Sequence, residues 1–217
     1  MTIHYHGTPI TPMSALNELA GKHFCVSHAR PDQADIVQKI GQSVMLDNGA
    51  FSKWKRGYAT DWALYYEWCD YWLAYPTTWA VIPDEIDAPE EAQNQFVLQW
   101  PFGSRGAPVW HMNESIDRLL MLCQVAPRVC MGSTSIYARV LSDPWKRRAD
   151  EAFTALAHRH SRLPWIHMLR GMQCCLPQWP WPFGSTDSTD VGRNHNRKNN
   201  PRAMADRWDS LQCGVFK

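Results

Sequence analysis

What the chain lacks narrows its class before any motif is read. No apolar run approaches the roughly 18 to 20 residues that a bilayer-spanning helix needs, so no membrane segment is expected. The opening segment, MTIHYHGTPI, has no basic stretch leading into an apolar core, which argues against a secretory signal. Charge of one sign is also missing: the formal net charge is +1, so the chain as a whole is no polycation drawn to any polyanion. Fixed-period repeats, low-complexity tracts and long charge blocks are absent. The seven cysteines form no CxxC pair, and Cys174 and Cys175, being adjacent, do not easily bridge each other. Free thiols in a reducing, cytoplasmic compartment are the expectation.

What is present describes an ordinary globular chain. The 217 residues are 45% hydrophobic and 20% charged, enough apolar surface to offset chain entropy and enough length for one domain over residues 1–217. The twelve tryptophans are many. Bulky aromatics of this kind fill a core and its rim, and some can also stack on a base or a sugar.

Short β-branched or aromatic runs alternate with helical patterns. The predicted strands are Ile3–Gly7, His23–His28, Ser43–Asp47, Trp79–Pro83, Ala107–His111, Arg128–Gly132, Trp165–Leu169 and Pro182–Ser185. The predicted helices are Pro31–Ile40, Asp61–Leu73, Pro89–Trp100, Ser115–Val125, Pro144–His160 and Pro201–Leu211. This order predicts a compact (β/α)8 TIM-type barrel, with an open doubly wound sheet as the other arrangement of such units. The stretch from Gly171 to Pro182, broken by Pro and Trp-Pro steps, reads as a loop replacing one helix.

Most predicted strands end in a titratable or hydrogen-bonding residue: His6, His28, Asp47, Asp84, His111, Ser133, His167 with Arg170, and Asp187. In a parallel barrel all C-terminal strand ends share one face, where the active sites of this fold sit. Taken singly, each has a plain structural role. Asp47-Asn48-Gly49 suits a turn, and Asp84 or Asp187 could cap a following segment. Taken together, they predict a catalytic pocket.

Three segments carry a resemblance. Leu46-Asp47-Asn48-Gly49-Ala50-Phe51 resembles the Asp-Ser-Gly-Gly-Phe-Gln segment of tRNA-guanine transglycosylases. Pro83-Asp84-Glu85 resembles their Phe-Asp-Glu segment, and the run from Asp187 to Arg193-Asn194 resembles the late Asp segment with an Arg-Asn at the same offset. The chain is also similar to the related DNA 7-deazaguanine transglycosylases of bacteria and phages. The resemblance implies base exchange at a purine-type nucleoside, nucleotide or nucleic acid; for this chain no cofactor and no metal are expected. It implies Asp187 as nucleophile, Asp47 as proton-transfer group and Asp84 as acceptor for a guanine-like edge. Asn48, Gly49, Phe51, Arg193 and Asn194 lie in the resembling segments, and the strand-end residues His111, Ser133, His167 and Arg170, without an assigned role, complete the expected pocket. The Cys3His zinc set and the Gly-Gly-Leu…Gly-Glu loop of the tRNA enzymes are absent, which leaves DNA, RNA and free nucleotide all open as substrates.

The chemistry also stands on its own residues. Breaking an N-glycosidic bond develops positive charge on the sugar; one carboxylate beneath the ring stabilises or bonds it, and a second carries the proton. Phe51, Trp54 and Trp110 are candidates to stack on a base. The basic stretch Arg193, Arg197, Lys198 and Arg202 is a candidate phosphate contact, and Lys146-Arg147-Arg148 is a second cluster. Two other readings remain. His4 and His6 alternate onto one side of a strand and, with His111, His167 and Asp187, resemble the ligand set of metal-dependent amidohydrolase barrels. That reading lacks a lysine at the fourth strand end and leaves Asp47 and Asp84 unexplained. A non-catalytic barrel that holds a nucleotide or base is the third.

Overall fold

The computed structural model describes residues 1–214. Nine parallel strands form one sheet: β1 Ile3–Gly7, β2 His23–Ser27, β3 Ser43–Asp47, β4 Thr78–Val81, β5 Gly106–Ala107, β6 Val109–His111, β7 Arg128–Gly132, β8 Trp165–Met168 and β9 Ser185–Ser188. Their spatial order is β5-β4-β3-β2-β1-β9-β8-β7-β6. The two ends of that list, β5 and β6, are separated in sequence only by Pro108, so the sheet curls into a nearly closed TIM-type barrel. Proline lacks the N–H a ladder needs, which splits the single predicted strand into two. The first half pairs with β4, the second with β7.

Helices α1 Met13–Asn17, α2 Ala34–Ile40, α3 Ala50–Trp54, α4 Trp62–Trp72, α5 Glu90–Gln99, α6 Ile116–Val125, α7 Asp143–Arg159, α8 Asp190–Asn194 and α9 Pro201–Asp209 lie between and after the strands. Their starts follow side-chain caps where the sequence supplies them: Asp61, Ser115, Ser142 and Asn200 each accept from a first-turn N–H. Between β8 and β9 only a short 3-10 turn over Met172–Cys175 stands where a helix would be.

Side chains alternate along each strand, so one set fills the barrel and the other meets the helices. Tyr5, Cys25, Met45, Trp79, Val81, Ala107, Val109 and Cys130 pack together inside. Their flanking residues build two outer clusters, one around Phe24, Leu46 and Tyr65, the other around Trp110, Trp145 and Phe153. Burying each such side chain contributes about 1.5–3 kcal/mol. The lower interior is polar and bonded: Trp79 Nε1 donates to Tyr5 Oη at 2.9 Å, and Arg128 lies 4.3 Å over the Trp79 ring.

Two sequence expectations need correction here. The last strand is Ser185–Ser188, not Pro182–Ser185, because Pro182 and Gly184 belong to the incoming loop and the Ser-Thr-Asp-Ser run forms the ladder with β1. The thiols are not all free: Cys175 and Cys213 form a disulfide, and Cys25, Cys69, Cys123, Cys130 and Cys174 remain as thiols. The C-terminal segment returns to the start of β1, where Thr2 N donates to Gln212 Oε1 and Cys213 N donates to Thr2 Oγ1, and this brings position 213 to the loop that replaces the missing helix.

Candidate active site

The strand register places Ser27, Asp47, Val81, Val109, Gly132 and Asp187 at the upper ends of inward-facing rows. They line a cavity of about 730 Å³ together with Asp84, His111, Ser133, Phe51, Arg170 and Arg193. Three carboxylates from three different strand ends thus share one hollow.

Asp187 is held through one oxygen. Its Oδ1 accepts from Arg170 N at 2.7 Å and from His167 Nε2 at 3.2 Å. Its Oδ2 has no hydrogen-bond partner among the described residues. His167 lies one layer below, fully buried, so it supports the cavity instead of lining it as the sequence suggested. Burial pushes its pKa down, against the pull of Asp187. The neutral ring fits its surroundings: Trp165 Nε1 donates to Ser185 Oγ, Ser185 Oγ donates to His167 Nδ1 at 2.8 Å, and Nε2–H is left for Asp187. Arg170 adopts a positive φ of 55°, a region that side chains rarely occupy. Its guanidinium stacks 3.6 Å from the Phe51 ring centre, so the same residue ties Asp187 to α3 across the mouth.

Asp47 ends β3 and borders the cavity. Burial first, then the charge of Asp187, push its carboxyl up to about 6, against the pull of the Ser27 hydroxyl. Such a group exchanges a proton near neutrality. Asn48 is fully engaged: its Nδ2 donates to Ile82 O and to Asp84 Oδ1, at 2.9 and 2.6 Å, and its Oδ1 accepts from Ala50 N. Gly49 follows at φ 76°, and a Cβ there would lie 3.0 Å from Ala29 N, so the turn requires glycine.

Asp84 receives Asn48 on Oδ1 and His111 Nε2 on Oδ2 at 2.8 Å. His111 is nine-tenths buried or more; burial lowers its pKa, but Asp84 and Glu114 outweigh this and push it up to about 9. Cys25 also lines the cavity. Burial, with Asp187 and Asp47 beside it, lifts its thiol well above the ordinary range, so it is no nucleophile.

Several expected residues lie elsewhere. His6 projects outward to Asp209 at 3.2 Å and His4 to Leu211 O at 2.9 Å, because the even positions of β1 face the helices. The His-x-His pair of the metal reading therefore shares a side, but the outer one. Among the described residues no group of three His, Cys, Asp or Glu side chains is placed to hold a metal ion. His28 packs against Tyr65 and Trp68. Trp110 is wholly buried in the outer core and donates to Ser115 O, so it cannot stack on a ligand. Trp54 is half exposed and outside the cavity lining. Ser133 lines the cavity, but its hydroxyl accepts from Trp145 Nε1. Asp190 is bound by Asn194 Nδ2 and Trp208 Nε1, which separates it from Asp187 and turns Asn194 away from the cavity.

Of the basic stretch, only Arg193 reaches the cavity; Arg202 is tied to Asp206 and to the Ala20 carbonyl. Arg148 is likewise structural, donating to Met112 O. The sequence reading missed three mouth cations, Arg30, Lys55 and Arg56; the Lys53-Trp54-Lys55-Arg56 run after Phe51 was the signal for the last two, and Arg30 stands alone after β2. It also missed Glu114 and Gln93 behind His111.

No protein-family model matches the chain, and neither the curated proteins nor the solved structures contain a match. No helix among the described residues is long and apolar enough to cross a membrane.

Proposed function

We propose that the protein is a transglycosylase-like enzyme acting on the N-glycosidic bond of a guanine- or 7-deazaguanine-type nucleoside, nucleotide or nucleic acid. The observation that carries this reading is the sharing of one 730 Å³ cavity by Asp47, Asp84 and Asp187, each in a different electrostatic setting. Asp187 Oδ2 attacks the anomeric carbon while Oδ1 stays held by Arg170 N and His167. The bond to the base nitrogen breaks, and the departing base takes the proton that Asp47 carries in its neutral form. The product is a glycosyl ester on Asp187. In exchange, an incoming base gives its proton back to Asp47 and displaces the ester; in hydrolysis, water does the same. Pushing the pKa values of neighbouring carboxyls apart is how two of them take different roles.

Asp84 accepts from the N1–H and 2-amino donors of the base edge. The mouth cations Arg30, Lys55, Arg56, Arg170 and Arg193 suit a phosphate-bearing substrate, with acids below for the sugar and base. The test incubates the protein with labelled guanine and DNA, RNA or nucleotides. Label uptake that depends on Asp187, with a covalent sugar adduct on that residue, supports the reading. Absence of uptake, adduct and base release from every substrate class overturns it.

A further inference from the structure

Behind Asp84 lies a run of buried polar groups that the reaction above does not use: His111, Gln93, Glu114 and Arg118, none more than 4% exposed. Gln93 is pinned by two bonds to the backbone of Glu85. Its Oε1 accepts from Glu85 N at 3.2 Å and its Nε2 donates one hydrogen to Glu85 O, which leaves the second facing His111 Nδ1, with Nε2 3.5 Å from it. Glu114 Oε2 is doubly satisfied, by His111 N at 2.8 Å and Arg118 Nη1 at 2.6 Å. Glu114 Oε1 has no hydrogen-bond partner among the described residues and lies 3.5 Å from the same Nδ1.

A carboxylate oxygen left bare in the interior is costly. The proton within reach of Oε1 is one on His111 Nδ1. A ring protonated at both nitrogens donates forward to Asp84 and backward toward Glu114. The charges on Asp84, His111, Glu114 and Arg118 then cancel. With a neutral side chain at position 114, Nδ1 would lose that carboxylate, and the remaining Gln93 amide hydrogen would favour an unprotonated nitrogen.

We infer that Glu114 is a positioning residue: it keeps His111 a cation, and the cation holds Asp84 as a fixed acceptor that selects a ligand edge bearing two adjacent donors. The inference rests on the proposed role of Asp84. The groups facing His111 are Asp84 after β4, Gln93 on α5 and Glu114 before α6, with Arg118 beyond Glu114; the neighbouring Gly132 on β7 adds no charge.

The experiment uses the full chain labelled at the histidine ring carbons and follows the His111 resonance, assigned by its loss in His111→Gln, across pH. Wild-type His111 is expected to titrate near 9. Glu114→Gln is expected to lower it and Glu114→Asp to restore most of the difference. In parallel, binding of guanine is compared with hypoxanthine, the same ring system without the 2-amino donor. At pH 8 the preference for guanine should fall about tenfold in Glu114→Gln, with the loss in KM or Kd more than in kcat and a new limb in the pH profile. If Glu114→Gln does not fold because Arg118 loses its partner, Glu114→Gln/Arg118→Met removes both charges and serves instead. A folded variant whose His111 still titrates near 9, or whose lowered pKa leaves the guanine preference unchanged, overturns the inference. A wild type that titrates as expected but neither exchanges nor releases any base sinks the transglycosylase reading separately.

Discussion

Two aspartate–histidine pairs flank the cavity, and they are opposites. In each, an imidazole Nε2 meets a carboxylate oxygen, at 2.8 Å for His111 and Asp84 and at 3.2 Å for His167 and Asp187. Both imidazoles are buried. Yet the pKa of His111 is pushed up to about 9, while that of His167 is pushed below its ordinary value. The pairs differ in the length of the near bond and in what meets the far nitrogen. His111 Nδ1 faces the Glu114 carboxylate; His167 Nδ1 faces the Ser185 hydroxyl, with the Arg128 cation adding repulsion. Burial pushes either ring toward neutrality; on one side Asp84 and Glu114 together outweigh it, and on the other Asp187 alone does not. In the proposed reaction this contrast has a use. Asp84, beside a protonated His111, would keep its place as an acceptor. Asp187 receives only neutral donors on Oδ1, so its other oxygen would keep the electron density that the proposed attack needs.

The harshest way to break this contrast is to remove the nucleophile side. Asp187→Ala is expected to cut turnover by on the order of 10⁴-fold or more, the scale seen when a nucleophile is lost, with the circular dichroism spectrum and melting temperature close to wild type. Wild-type-like activity in that variant would discard the mechanism. Asp47→Asn is expected to cost about 10²- to 10⁴-fold, the range for losing a proton-transfer group. The same variant carries a stability signature. The carboxyl rises from 3.8 to about 6 on folding, so the folded state favours its protonated form. That contribution is present below pH 3.8 and lost as pH rises through 6. Asn needs no proton, so Asp47→Asn should be more stable than wild type at pH 8, by on the order of 1–2 kcal/mol after discounting for the adjoining solvent-filled cavity. The gain should vanish near pH 4 in denaturant titrations; a gain equal at both pH values would contradict the raised pKa.

How much of this contrast was legible in sequence differs between its two sides. The barrel was readable because its strands are short, β-branched or aromatic, and separated by capped helices. β1, β3 and β7 fall on their predicted bounds. The proline at 108 warned of a break in the ladder, but nothing in the run showed that the chain changes partner strands there. Asp47, Asp84 and Asp187 could be found because strand ends gather by topology alone. His6 could not be placed, because period-two alternation says that His4 and His6 share a side without saying which side; the inward Tyr5 and Gly7 decide that only once the sheet closes. Trp110 alternates the same way and falls outside. Glu114 escaped notice for another reason. It precedes Ser115, the helix cap, and reads as an ordinary acid at a helix start, while its contact with His111 depends on the turn between them.

A gentler intervention sharpens the comparison by converting one pair into the other. Ser185→Asp puts a carboxylate behind His167 Nδ1, in the position that Glu114 takes behind His111. Trp165 Nε1 remains as a donor to it, at the site where it now bonds Ser185 Oγ at 2.9 Å. The expected result is a His167 pKa above 6.5 by ring-carbon resonance, and roughly a tenfold loss of turnover as Asp187 acquires a cationic neighbour. A His167 that stays neutral would mean that Arg128 and burial, not the far-nitrogen partner, set the difference between the pairs.

The smallest effect is read in stability alone. His111 titrates near 9 folded against an ordinary 6.5, so its ion pairs favour the folded state fully below pH 6.5 and lose that contribution as pH rises through 9. His167, whose pKa is lowered, contributes nothing of that sign in the same window. Wild-type unfolding free energy should therefore decline between pH 6.5 and 9, and the decline should flatten in His111→Gln but persist in His167→Gln. A slope that disappears in His167→Gln instead would exchange the charge states assigned to the two sides of the cavity.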